Sequence, residues 1–185
     1  MTNVKHTVSS EERQQLAALV GQKLAYITGF GVKRFLMSAL LLIVTSESVV
    51  DISSSISTED FPGYREDFGF IRVGKSLESD ISVSQREGTR FFTFGGEKIE
   101  RVEIRRATIS KVENGASVWK YSADVAILIK VASGWISLSL LNHHDQILTV
   151  TYTSKNEQLD IPETDSLFES DLFESYEVVL EDEVL

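Results

Sequence analysis

The amino-acid sequence predicts an α+β protein that is predominantly antiparallel β. Its expected plan is duplicated β-meanders packed as a sandwich or partly open barrel, with a short N-terminal helix and an acidic C-terminal segment. Three observations carry this expectation. Apolar residues recur with period two between positions 21 and 152, turn-forming pairs punctuate those runs, and two stretches repeat one order of elements. The composition, 42% hydrophobic and 25% charged over 185 residues, suits one folded unit with its own core.

The helix is expected over residues 10–20. Ser9 and Glu12 have the S-x-x-E spacing of a capping box, in which each side chain meets the other's backbone amide. Glu11 and Glu12 also suit the positive end of a helix dipole. Leu16, Leu19 and Val20 lie on one stripe, and Gly21 is placed to end the helix in a left-handed conformation.

Strands follow from alternation. Val50, Ile52, Ser54 and Ile56 alternate with Asp51, Ser53 and Ser55, and Val102 and Ile104 alternate with Arg101, Glu103 and Arg105. Ile136, Leu138 and Leu140 form a third such set, and Leu148, Val150 and Tyr152 a fourth. Phe61-Pro62-Gly63, Gly95-Gly96, Asn114-Gly115 and Ser133-Gly134 read as the turns between strands. Residues 40–44 are apolar on both faces, which predicts a central strand covered on both sides, with the 9–20 helix as one cover. Between 58 and 88, Phe68, Phe70 and Ile71 suggest one strand, and Ile81 and Val83 the start of another.

The repeat spans 21–76 and 96–153. Gly21-Gln22-Lys23-Leu24 resembles Gly96-Glu97-Lys98-Ile99, and Ile27 then matches Val102. Residues 39–46 resemble 126–133, and with one gap 49–53 resemble 135–139. The second copy carries about a dozen extra residues, near 106–117. Each copy reads as strand, connection, long apolar strand, tight turn, strand, with a further strand after it. Two such meanders each leave an apolar face that packing together would bury.

Charge divides the chain into a body, 1–155, and a segment, 156–185, expected to dock on it. The net charge is −10, but the last thirty residues carry 11 acids and no Lys or Arg. The body, with 17 acids against 18 bases, stands at +1. A surface of this sign excludes the basic stripe that nucleic acids require and suits a basic protein partner. Leu167-Phe168-Glu169-Ser170 recurs as Leu172-Phe173-Glu174-Ser175, and Phe168, Leu172, Tyr176 and Val179 have helical spacing; Tyr176-Glu177-Val178-Val179-Leu180 reads equally as a short strand. No cysteine, no N-terminal signal and no apolar run near the roughly 20 residues of a membrane helix point to a cytoplasmic protein without a membrane role.

The chemical inventory is thin. His143-His144-Asp145 is a loop sequence with no third ligand at metal-site spacing. Asp124 precedes an apolar strand and reads as a carboxylate satisfying turn amides rather than as a general base. Ser53-Ser54-Ser55 lacks a nucleophile elbow, Gly95-Gly96 lacks the Lys of a phosphate loop, and no helix pattern opens after Gly29-Phe30-Gly31. No cofactor or metal is therefore expected. Phe91, Phe92, Phe94, Trp119, Tyr121 and Trp135 would suit an apolar ligand pocket or a core. Trp135 follows a turn glycine and is out of phase with Ile136, Leu138 and Leu140, which marks it as a contact anchor. Lys98, Arg101, Arg105 and Arg106, interleaved with Glu97, Glu100 and Glu103, form either a cross-strand charge ladder or the place where the acidic segment folds back.

The expected function is that of a non-catalytic protein-binding module, with the profile of a bacterial immunity or antitoxin-type inhibitor of a basic protein. Its expected partner-binding residues are Trp135, Glu169, Asp171, Glu174, Glu177, Glu181 and Asp182. The alternative is a small-molecule-binding β domain with an aromatic pocket. A metal-assisted hydrolase using His143 or His144 is the third reading.

Overall fold

The computed structural model describes residues 2–29, 37–38, 40–61, 64–75, 89–141, 146–154 and 175–185. In chain order these form β1 (Thr2–His6), α1 (Ser10–Ala17), β2 (Lys23–Gly29), β3 (Met37–Ser38), β4 (Leu40–Thr45), β5 (Val49–Phe61) and β6 (Tyr64–Lys75). Then follow β7 (Thr89–Glu113), β8 (Ala116–Val131), β9 (Gly134–Leu140), β10 (Leu148–Ser154) and β11 (Ser175–Val184). The strands join in one open sheet, in the order β3-β10-β9-β8-β7-β2-β4-β5-β6, with β1 added to β8 and β11 to β7. Among the described residues no ladder closes the sheet between β3 and β6. Pairing is antiparallel throughout, apart from the parallel β1–β8 ladder. The protein is thus mostly antiparallel β with a short N-terminal helix.

The capping box forms as its spacing requires. The Ser9 hydroxyl accepts from the Glu12 amide, and the Glu12 carboxylate accepts from the Ser9 amide. The helix ends at Ala17, three residues short of expectation, and the chain passes through turns to Gly21 at φ +93°. Its buried face carries Leu16, and Leu19 beyond it is also buried. The expected cover for residues 40–44 is corrected here: the helix docks on β6, where the Glu12 carboxylate takes the Val73 amide at 3.0 Å. Residues 41–45 are nonetheless all buried, as a strand apolar on both faces demands.

The open sheet bends so that the long β5–β6 hairpin lies against β8. Phe61 stacks on Trp119 at 4.4 Å between ring centroids, and Phe68 stacks on Tyr121 at 4.2 Å. The Tyr121 hydroxyl donates to the Gly69 carbonyl. The aromatic residues that a ligand pocket would need are therefore partly spent on one another: Trp119 and Tyr121 are fully buried. Stacked pairs of this kind add ~0.5–1.5 kcal/mol each beyond the area they bury.

Bulges keep the apolar side chains inward. On β7 the core residues run Ile99, Val102, Ile104, Ala107 and Ile109, so their parity changes twice. The β7–β8 register shifts between Ile99 and Arg101 and again between Arg105 and Arg106, one extra residue absorbing each change. Gly95-Gly96, expected to be a turn between strands, lies instead inside β7 with φ +62° and +83°. Leu24 pairs Glu97 and Tyr26 pairs Thr93, so the two glycines form a bulge opposite β2, and their left-handed conformations bend the strand without reversing it.

The two meanders, β2-β4-β5-β6 and β7-β8-β9-β10, have corresponding registers. Leu41 pairs Ile52 where Ile127 pairs Leu138, and Ile43 pairs Val50 where Ile129 pairs Ile136. On the first strands, Leu24 pairs Thr45 and Ile27 pairs Ile43, as Ile99 pairs Val131 and Val102 pairs Ile129. These pairings set Leu40 beside Ala126, one position away from the sequence match of Ala39 with Ala126.

Gly134 opens β9 against the backbone of β10. A Cβ built there would lie 2.0 Å from the Thr153 carbonyl oxygen. Backbone cannot yield as a flexible side chain can, so Gly134→Ala is expected to destabilise the fold by about 2–3 kcal/mol, read as a lower urea midpoint. A midpoint within about 0.5 kcal/mol of the natural chain would contradict the close β9–β10 approach.

Candidate functional site

The β7–β8 hairpin extends beyond the residues that pair with β9, and this extension carries β1 and most of β11. Asn114 and Gly115, at φ +51° and +76°, close it between the paired Glu113 and Ala116. Left-handed residues at both central positions match the twist of a two-residue hairpin. Beyond the reach of β9, the β8 edge accepts β1, from Thr2 opposite Trp119 to His6 opposite Ala123. The opposite edge of β7 accepts β11, from Ser175 opposite Val112 to Val184 opposite Glu103.

Of the acidic segment, β11 lies along the basic strand β7. The Arg105 guanidinium forks onto Asp182, Nε to Oδ1 at 2.6 Å and Nη2 to Oδ2 at 2.7 Å. Hydrogen bonding to Asp182 raises the Arg105 pKa above its ordinary value, against the effect of burial. Two parallel charge-assisted bonds fix the strand's register as well as its charge. Glu183 pairs with Arg13 and lies 3.7 Å from Arg106.

Beneath these contacts sits Asp124, which has no exposure to solvent. Its Oδ1 takes Arg106 Nε at 2.8 Å, and its Oδ2 takes the Val8 amide at 2.8 Å and Arg13 Nη2 at 3.5 Å. Burial pushes the carboxyl above its ordinary value, against the Val8 hydrogen bond and the two guanidiniums. The expected turn-capping role is corrected: Asp124 lies within β8, and its donors come from α1, from β7 and from the chain between β1 and α1. Its neighbours in sequence, Tyr121 and Ser122, bond to Gly69 and Thr108.

A second polar cluster ties β1 to β5. His6 Nε2 lies 2.8 Å from Glu59 Oε1, the same oxygen that accepts the Ser57 hydroxyl at 2.6 Å, and the His6 ring stacks on Phe70 at 4.5 Å. Both side chains address the carboxylate rather than each other, which is a structural tie and not a nucleophile–base pair.

Of the expected partner-binding residues, Glu177, Glu181 and Asp182 stand together on β11, the first two exposed and Asp182 held by Arg105. Glu169, Asp171 and Glu174, with Phe168 and Leu172, lie outside the described residues. So do His143, His144 and Asp145. The helical reading of Tyr176 and Val179 gives way to the strand reading, and Val179, expected to dock on the body, is 52% exposed. β11 thus exposes Val179 on one face and Leu180 and Val184 on the other, beside its acids. Trp135 is half-buried rather than free, with Arg101 at 5.0 Å and Lys130 at 5.1 Å over its ring. Trp135 stands on β9, across β8 from Arg101, whereas Arg105, roughly 13 Å further along β7 at the ordinary strand rise, holds β11. Among the described residues no group of three or more His, Asp or Glu side chains is arranged to hold a metal ion. The sequence reading missed Arg13 and Val8 as partners of Asp124, because a contact spanning more than a hundred residues leaves no local pattern.

Three comparisons bear on the chain: no family model, no curated protein and no solved structure matches it.

Two substitutions test this network. Asp124→Ala is expected to cost about 3–5 kcal/mol in urea unfolding, because it leaves the buried Val8 amide without its acceptor and takes the nearer carboxylate from Arg106; a cost below about 1 kcal/mol would show that the carboxylate organises nothing. Glu12→Gln tests the helix dock through pH. Burial pushes the Glu12 carboxyl up, but the amides of Ser9 and Val73, the Ser9 side chain and the Arg72 charge outweigh it and hold the group below its ordinary 4.5. A depressed carboxylate stabilises the fold above its unfolded value and loses that contribution as pH falls through the folded one. The natural chain should therefore exceed Glu12→Gln by about 1–2 kcal/mol at pH 7, and the gap should close in thermal scans taken below pH 4.5. A gap independent of pH would contradict the assignment.

Proposed function

We propose that this chain is a non-catalytic protein-binding module whose partner is a basic protein, with the profile of a bacterial immunity or antitoxin-type inhibitor. The observation that supports it is β11, an exposed strand carrying Glu177 and Glu181 beside Val179 and Leu180. An acidic surface with apolar residues between its charges suits a basic partner, since charge speeds encounter and apolar contacts prolong the complex. Trp135 on β9 serves as a second contact, its ring already flanked by Arg101 of β7 and Lys130 of β8.

The two meanders are, on this reading, copies of one unit. Corresponding registers support this, and so do bulges at corresponding places, between Leu24 and Tyr26 on β2 and between Ile99 and Arg101 on β7. Lys23 also pairs Lys98, its counterpart, as two copies related by a two-fold axis would place them. The extended β7–β8 hairpin is then the part in which one copy departed from the other, and it is the part that holds β11.

The test is capture of partners from the producing cell by the full chain, beside a Glu177→Lys, Glu181→Lys variant. The expected result is one basic protein, retained by the natural chain and released at high salt. Association with the variant should be roughly tenfold slower, while the variant's stability stays within about 0.5 kcal/mol. Equal, salt-independent capture by both chains would reject the reading.

A further inference from the structure

We propose that the outer edge of β11 takes up an extended, basic segment of the partner as an added strand. This rests on the binding reading above and supplies its mode. β11 pairs β7 along one edge, through ten consecutive partners without a register shift. Among the described residues no strand pairs its other edge. Such an edge presents a row of amide and carbonyl groups, and natural edges are blunted by proline, lysine or a bulge. β11 reads Ser-Tyr-Glu-Val-Val-Leu-Glu-Asp-Glu-Val: it has no proline, lysine or bulge, and its charges are all acidic, which guards the edge against acidic strands but not against basic ones. Val179, Leu180 and Val184 are exposed at 52%, 41% and 58%, so the edge also offers apolar contacts to a strand laid beside it.

Charge selects the occupant. Asp182 and Glu183 are already met by Arg105, Arg13 and Arg106, whereas Glu177 and Glu181 form no ion pair among the described residues. A second copy pairing antiparallel through the centre of β11 would set Glu177 opposite Asp182. A parallel in-register copy would set each acid opposite itself. Like charges directly opposite destabilise a strand pair. A segment in which Lys or Arg alternates with apolar residues meets both the open backbone and the unpaired carboxylates.

The test uses the full-length chain and a labelled ten-residue peptide alternating Lys with Val, and a counterpart N-methylated at every backbone amide. Methylation keeps the charge and removes the donors. Fluorescence polarisation at low salt should show binding of the first peptide and at least tenfold weaker binding of the second, with amide shifts in the protein confined to β11 and its neighbours. Equal binding of the two peptides would overturn strand addition and leave the electrostatic reading intact. Absence of binding by either peptide would overturn it, as would concentration-dependent pairing of the chain through β11, which would give the edge to a second copy. Loss of partner capture in the preceding experiment would instead remove the binding reading itself.

Discussion

A carboxylate sealed from water must be met by donors, and Asp124 imposes that demand in the middle of β8. Its donors are the Val8 amide, Arg13 on α1 and Arg106 on β7. Satisfying one side chain thus fixes where the chain leaves β1, how α1 enters and how β7 lies against β8. Arg13 and Arg106 then meet Glu183, which brings β11 onto the same cluster. Such a cluster adds little net stability, since desolvation offsets its attraction. What it supplies is location: the first and last strands of the chain are held on opposite edges of one hairpin.

Local patterns foretold local structure. The S-x-x-E spacing at Ser9 gave the helix start because capping needs only neighbours in sequence. Alternation around Ile136, Leu138 and Leu140 gave β9 because these three line the core, while Ser137 and Ser139, also buried, take the other face. Asn114-Gly115 gave the hairpin turn because both positions require left-handed backbone. Gly95-Gly96 offered the same local chemistry and formed a bulge, because pairing with β2 continues on either side of it. Glycine licenses a conformation; the ladder around it decides its use.

The candidate site was legible in charge and not in shape. Eleven acids after residue 155 and the arginines of β7 suggested that one folds onto the other, and the Arg105–Asp182 fork has that form. Helical spacing of Tyr176 and Val179 pointed the other way, since spacing over so few residues fits both periods. The ten consecutive ladder pairs offered by β7 favour the strand. The open edge of β11 could not be read at all, because whether a strand is central or marginal depends on every other strand in the sheet. That edge, its exposed valines and leucine, and Glu177 and Glu181, which form no ion pair among the described residues, are where a basic partner is proposed to bind.

The exchange rate of the Val8 amide tests the central role of Asp124 most directly. Val8 lies outside any helix or strand, yet its amide is buried and donates to the carboxylate at 2.8 Å. If Asp124 organises the junction, this amide should exchange as slowly as those of β8, opening only when the whole fold opens. Exchange as fast as that of an ordinary surface loop, while the β8 amides stay protected, would contradict it.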